Sequence, residues 1–113
     1  SLHNDSQGLN VVCGFDLRFN KKNKFQILKL VSSINAQIWL GHFDIWDKEG
    51  LIVYRNSSIL DKRSLNLETV ETLLTDAINS IDLYFPAFQY ILWAGKTSEE
   101  ALSTVLFETR GEA

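Results

Sequence analysis

Cysteine is almost missing from this chain: Cys13 is the single one in 113 residues. No disulfide can form within the chain, and a reducing compartment, the cytoplasm, is the expected setting. Cys13 falls at an apolar position of an alternating segment. A free thiol there behaves as a small hydrophobe, so a structural role is expected rather than a reactive one. Histidine is scarce too, with His3 and His42 only. No His/Cys/carboxylate cluster has ligand spacing, so neither a protein-built metal centre nor a cofactor is expected. The six glycines are scattered, and Gly95-Lys96-Thr97 lacks the glycine-rich lead-in of a phosphate-cradling loop. No apolar run nears the ~20 residues that cross a bilayer. No basic-then-apolar start reads as a signal peptide, so no membrane partner is expected.

What is present suits an ordinary globular domain: 45% apolar and 22% charged residues. A chain of this length forms one domain, residues 1–113, and buries roughly two-thirds of the surface it exposes when unfolded. The net charge of −3 is unevenly spread. Residues 1–57 hold seven Lys/Arg against five Asp/Glu, and residues 58–113 hold four against nine. That acidic second half argues against nucleic acid as partner, because phosphate binding needs a concentrated basic footprint. The lysines at 21, 22, 24 and 29 read as the solvated start of a helix.

Residues 1–8 are polar and read as a loop. From Leu9 to Phe19 the alternation is strict: Leu9, Val11, Cys13, Phe15, Leu17 and Phe19 point one way, Asn10, Val12, Gly14, Asp16 and Arg18 the other. This is a half-buried strand. After a turn, Lys24 to Gln37 take a helical period, with Ile27, Leu28, Val31, Ile34 and Ala36 as the apolar side. A β-hairpin follows. A four-residue turn at Asp47–Gly50 sets Trp46 beside Leu51, Asp44 beside Val53 and His42 beside Arg55. One hairpin face then carries Phe43, Ile45, Ile52 and Tyr54 and is assigned to the core, with Gly41 leaving room for a packed neighbour. Residues 58–65 read as a polar connection.

Asn66 is placed as the N-cap of a long helix, with Leu65 and Val70 as a hydrophobic staple across it. An apolar stripe from Val70 to Leu92 continues to Trp93, itself expected in the core. Pro86, the only proline, predicts a kink or a break near Leu83–Phe85. Gly95 is a helix C-terminal cap, and Thr97-Ser98-Glu99-Glu100 is a capping box opening a last helix over Ser98–Phe107.

The second hairpin face carries His42, Asp44, Trp46, Leu51, Val53 and Arg55, and these six are the candidate site. His42, Asp44 and Arg55 could form a polar site with His42 as acid/base. No nucleophile stands at matching spacing, and an ordinary cross-strand pair, worth roughly 0.2–1 kcal/mol, is the plainer account. Trp46, Leu51 and Val53 make an apolar patch with a polar rim, suited either to a contact surface or to cover by another strand or subunit.

The segments Ile34-Asn35-Ala36-Gln37-Ile38-Trp39-Leu40-Gly41-His42-Phe43-Asp44-Ile45-Trp46, Tyr54-Arg55-Asn56, Tyr84-Phe85-Pro86-Ala87-Phe88-Gln89, Trp93-Ala94-Gly95-Lys96-Thr97-Ser98-Glu99-Glu100-Ala101 and the tail from Phe107 to Ala113 together resemble the YbjN-domain family, in its alphaproteobacterial branch. The resemblance covers about residues 9 to 113. It implies a fold similar to type III secretion chaperones, frequent pairing as a homodimer, and a label of sensory transduction regulator without any catalytic motif. Members of that family usually carry a further helix and strand before the position of Leu9, so the domain is expected to lack that N-terminal portion here.

The expectation is thus an α+β fold: an antiparallel sheet with helices packed on one face, in the order β-α-β-β-α-α. Its function is expected to be that of a non-catalytic, chaperone-like or regulatory module that binds a protein client or a second copy. The alternative is a small-molecule sensor with an apolar pocket between sheet and helices.

Overall fold

A computed structural model describes residues 6–61 and 66–111. The elements are β1 (Ser6–Arg18), α1 (Lys24–Asn35), β2 (His42–Trp46), β3 (Leu51–Asp61), α2 (Leu67–Ala94) and α3 (Ser98–Gly111). The three strands form one antiparallel sheet in the order β1-β3-β2, and the expected α+β class and element order hold.

The strict alternation of β1 is realised as read: Phe15, Leu17 and Phe19 are buried, and every residue of the opposite set is exposed. Both β1 and β3 exceed their expected lengths. β1 begins at Ser6, inside the stretch expected to be a loop, and β3 continues to Asp61 through residues expected to be a polar connection. Pairing explains both extensions. Polar residues such as Ser57 and Asn10 are held extended by facing each other in register, and the Ser57 hydroxyl donates to Asn10 Oδ1 at 2.7 Å. The ladder also slips by two residues. Gly14 faces Val53, so Asp16 would face Leu51, but Arg18 stands there instead. A slip of two keeps the faces of the strand unchanged, so the apolar set stays inward.

The hairpin turn occupies residues 47–50, with the expected register on either side. Gly50 takes φ +68°, and a Cβ there would lie 2.9 Å from the Phe19 carbonyl oxygen, so glycine is required twice over.

The helices pack against the inward face of the sheet, α2 on β1 and β3, α1 on β2, with α3 held by α1 and α2. Between the layers the aromatic rings fill the space. Phe15 meets Phe43, Phe85 and Phe88 edge-on with centroids 5.5–5.7 Å apart, and Phe43 meets Tyr54 at 5.2 Å and Tyr84 at 5.8 Å. Each such pair contributes roughly 0.5–1.5 kcal/mol beyond the area it buries.

Three expectations about the helices are corrected. In α1 the buried set is Ile27, Leu30, Val31 and Ile34, whereas Leu28 and Ala36 are exposed. Positions i, i+3, i+4 and i+7 from Ile27 define the stripe, and Leu30 rather than Leu28 belongs to it. Of the kink or break expected near Pro86, the break does not occur: α2 is a single helix through it. The carbonyl deprived of its donor is that of Asp82, an exposed residue, where solvent can take it. Trp93 is 71% exposed rather than core, being off the line of Tyr84, Ala87, Phe88 and Ile91. Leu65, half of the expected staple, lies outside the described residues.

The caps form as expected. Asn66 Oδ1 accepts from the Thr69 N–H at 2.8 Å, Gly95 closes α2 at φ 67°, and Thr97 and Glu100 exchange side-chain-to-backbone bonds at 3.0 and 3.2 Å.

Candidate functional site

The open face of the sheet is a grid of three rows. In register, His42, Arg55 and Val12 form the first, Asp44, Val53 and Gly14 the second, and Trp46, Leu51 and Arg18 the third. All six residues of the candidate site therefore share one face, as the hairpin period requires. Trp46 is 43% exposed, His42 is exposed, and Asp44, Leu51 and Arg55 are half-buried. On β1, Val12 at 39% exposure joins the same surface.

Val53 departs from its expected role. It is fully buried and has no surface to offer a partner. The reason is positional: a short side chain on the central strand stands between the longer Leu51 and Arg55, with a strand on either side. The apolar contact area of the face falls to Trp46, Leu51 and Val12.

Asp44 and the neighbouring Arg18 are engaged locally. Asp44 Oδ1 accepts the N–H of Ile45 at 2.8 Å, and Arg18 donates to the Glu49 carbonyl at 2.7 Å, bracing the turn. The ion pairs among the described residues, Lys24–Asp47 at 2.8 Å and Lys29–Glu99 at 2.7 Å, involve neither Asp44 nor Arg55. Two of the four early lysines are thus engaged within the fold. The Asn35 side chain also grips β2, donating to the Phe43 carbonyl at 2.9 Å and accepting the Phe43 N–H at 2.8 Å. That pair of bonds ties the end of α1 to the strand carrying His42, Asp44 and Trp46.

A polar cluster on the opposite, helix-covered face escaped the sequence reading. The Tyr54 hydroxyl and Asn56 Nδ2, the latter at 3.0 Å, both donate to Asp76 Oδ2. Tyr54 and Asn56 are buried and Asp76 half-buried, so the cluster ties the centre of the sheet to α2. Burial, then the bond to Asp76, pushes the Tyr54 hydroxyl up to about 12. It remains a neutral donor across the physiological range and serves as a structural bolt. The available signal was Asp76 itself, a carboxylate between Leu73 and Ala77 on the buried stripe.

Near this bolt lies a groove that the sequence also did not disclose. Trp39, 86% exposed, and Leu40 face the first half of α2 across an open cavity of about 420 Å³ that includes Glu68, Glu71, Thr75 and Asp76. A Cβ on neighbouring Gly41 would strike the Tyr54 ring and come within 2.7 Å of the Arg55 carbonyl oxygen, so the loop can pass only with glycine at that point. A second cavity, about 410 Å³, lies between α1 and α3 beside Leu102, Leu106 and Phe107. Both are surface grooves; neither lies between sheet and helices. Among the described residues no group of three His, Cys, Asp or Glu is arranged to hold a metal ion, and no helix is long and apolar enough to cross a membrane.

An antiparallel sheet clad on one side by helices, with aromatic and polar residues on its other side, defines an α+β domain. The family model for YbjN, described as "Putative bacterial sensory transduction regulator", matches residues 1–90, and the chain belongs to that family. Comparison with the curated proteins and with the solved structures returns no match.

Proposed function

We propose that the chain is a non-catalytic regulatory module that docks a protein client on the open face of its sheet. Trp46 and Leu51 supply the apolar contact, and His42, Asp44 and Arg55 form the polar rim. The observation that carries this reading is Trp46: a large aromatic, 43% exposed, on the sheet face turned away from the helices. Tryptophan so placed loses little entropy on contact and is enriched among the residues that dominate interface energies. Likeness to type III secretion chaperones, and with it client binding through an extended segment, is part of the same proposal. Pairing of the chain with a second copy and residence in the cytoplasm belong to the same reading, the latter supported by the lone, half-buried thiol of Cys13.

The test is affinity capture from the native cell with partners identified by mass spectrometry, repeated with Trp46→Ala and Val12→Asp. Both positions are exposed enough to change without unfolding the domain, which circular dichroism checks. Recovery of the captured client should fall at least tenfold, as for an interface anchor worth more than about 1.4 kcal/mol. Undiminished recovery by both variants rejects the open face as the docking surface.

A further inference from the structure

α2 has a second apolar face that the fold leaves uncovered. Leu67, Leu74 and Ile78, spaced by seven and four, lie on one side of the helix and are 72%, 46% and 59% exposed. Beside them stand Glu68, Glu71 and Asp82, all exposed, and the 28 residues of α2 hold four carboxylates and no Lys or Arg. The groove under Trp39 and Leu40 runs along the same half of the helix and includes Glu68 and Glu71. This is an apolar ridge with an acidic margin, and an apolar, basic occupant is its complement.

The chain itself carries such an occupant. At the start of α1, Phe25 is 66% exposed and Leu28 41%, three residues apart on the solvent side. Lys21 and Lys22 precede them, both exposed. The apolar pair and the cations match the ridge and the margin of α2 in kind and in sign. Within one molecule both faces point to solvent, so they can meet only between molecules.

We infer that the first turns of α1 in one copy dock on the open face of α2 in a second copy. Phe25 and Leu28 seat against Leu74 and Ile78, and Lys21 and Lys22 meet Glu68 and Glu71. About a two-fold axis the contact is made twice, which closes the pair. The inference rests on the pairing proposed above and gives it a surface; that surface is distinct from the sheet face proposed for the client, so client docking stands or falls separately.

Sedimentation velocity of the purified chain over a range of concentrations and salt tests the inference. A reversible dimer is expected, weaker at high salt because half of the contact is charge. Ile78→Asp and Phe25→Asp should each raise the dissociation constant at least tenfold, with circular dichroism unchanged. Glu71→Lys and Lys22→Glu should each weaken the dimer several-fold. Mixing those two variants should restore it, because in the mixed pair each contact again joins opposite charges. A monomer at every concentration overturns the inference, as does a dimer indifferent to these substitutions. So does a charge-reversal pair that mixing fails to rescue, a result that remains decisive even if Ile78→Asp does not fold.

Discussion

At the scale of single residues, the groups that matter most for stability are not those that look most chemical. His42, Asp44 and Arg55 share a face as the alternation requires, yet Asp44 turns its carboxylate to its own strand. Tyr54 gives a sharper prediction. Its hydroxyl is raised from 10.0 to about 12, so the folded state holds that proton more tightly than the unfolded state. The stability it confers is therefore complete below pH 10 and is lost as pH rises from 10 to about 12. Two units correspond at most to roughly 3 kcal/mol. Tyr54→Phe should cost about 1–3 kcal/mol at neutral pH and flatten the loss of stability between pH 10 and 12, as read by urea unfolding at stepped pH. A variant as steep as wild type over that interval would show that another group titrates there. Gly41 answers to sterics alone: Gly41→Ala should destabilise by roughly 1–3 kcal/mol, because both Tyr54 and the Arg55 backbone already occupy the site of a new methyl. Urea unfolding checks this too, and an unchanged midpoint would mean that the loop yields.

At the scale of elements, legibility followed how singly each pattern could be read. The hairpin register was fully legible, because the turn at 47–50 and a period of two leave one pairing that buries Phe43, Ile52 and Tyr54 together. The caps at Asn66, Gly95 and Thr97 were legible because each depends on a local backbone group. Helix faces were not. α1 offers leucine at both 28 and 30, and α2 is apolar around much of its circumference, so the stripe that packs is decided by the sheet it meets. The far end of β3 was hidden for a related reason: Ser57 and Ser58 are strand only because β1 is there to pair with them. The same dependence identifies the ties between elements. Asn35 replaces a strand neighbour for Phe43, satisfying its N–H and its carbonyl together. Asn35→Ala removes both bonds and should cost about 1–3 kcal/mol. Hydrogen exchange should accelerate first in β2 and at the end of α1; uniform acceleration throughout the domain would show that this tie is not local.

On the scale of the whole molecule, two of its connections titrate at opposite ends of the pH range. The sheet is bolted to α2 by Tyr54, which fails in base. α3 is fastened to α1 by the Ser98 N–H donating to Gln26 Oε1 at 2.8 Å and by Lys29 beside Glu99. The Lys29 ammonium, helped by the Glu99 backbone N–H, lowers the Glu99 carboxyl from 4.5 to about 2. A lowered carboxyl confers stability that is complete above pH 4.5 and is lost as pH falls toward about 2. Glu99 is exposed, so salt screens this contribution and high ionic strength should shrink it. The molecule should therefore loosen in a different place at each extreme: α3 from α1 in acid, α2 from the sheet in base. Residue-resolved NMR titration separates the two. Between pH 4.5 and 2 the amide shifts of α3 should move ahead of those of the sheet, and Lys29→Met should abolish that lead at low salt while leaving the change near pH 12 intact. If Lys29→Met altered both ends alike, the two ties would belong to one cooperative unit, and α3 would have no acid-sensitive attachment of its own.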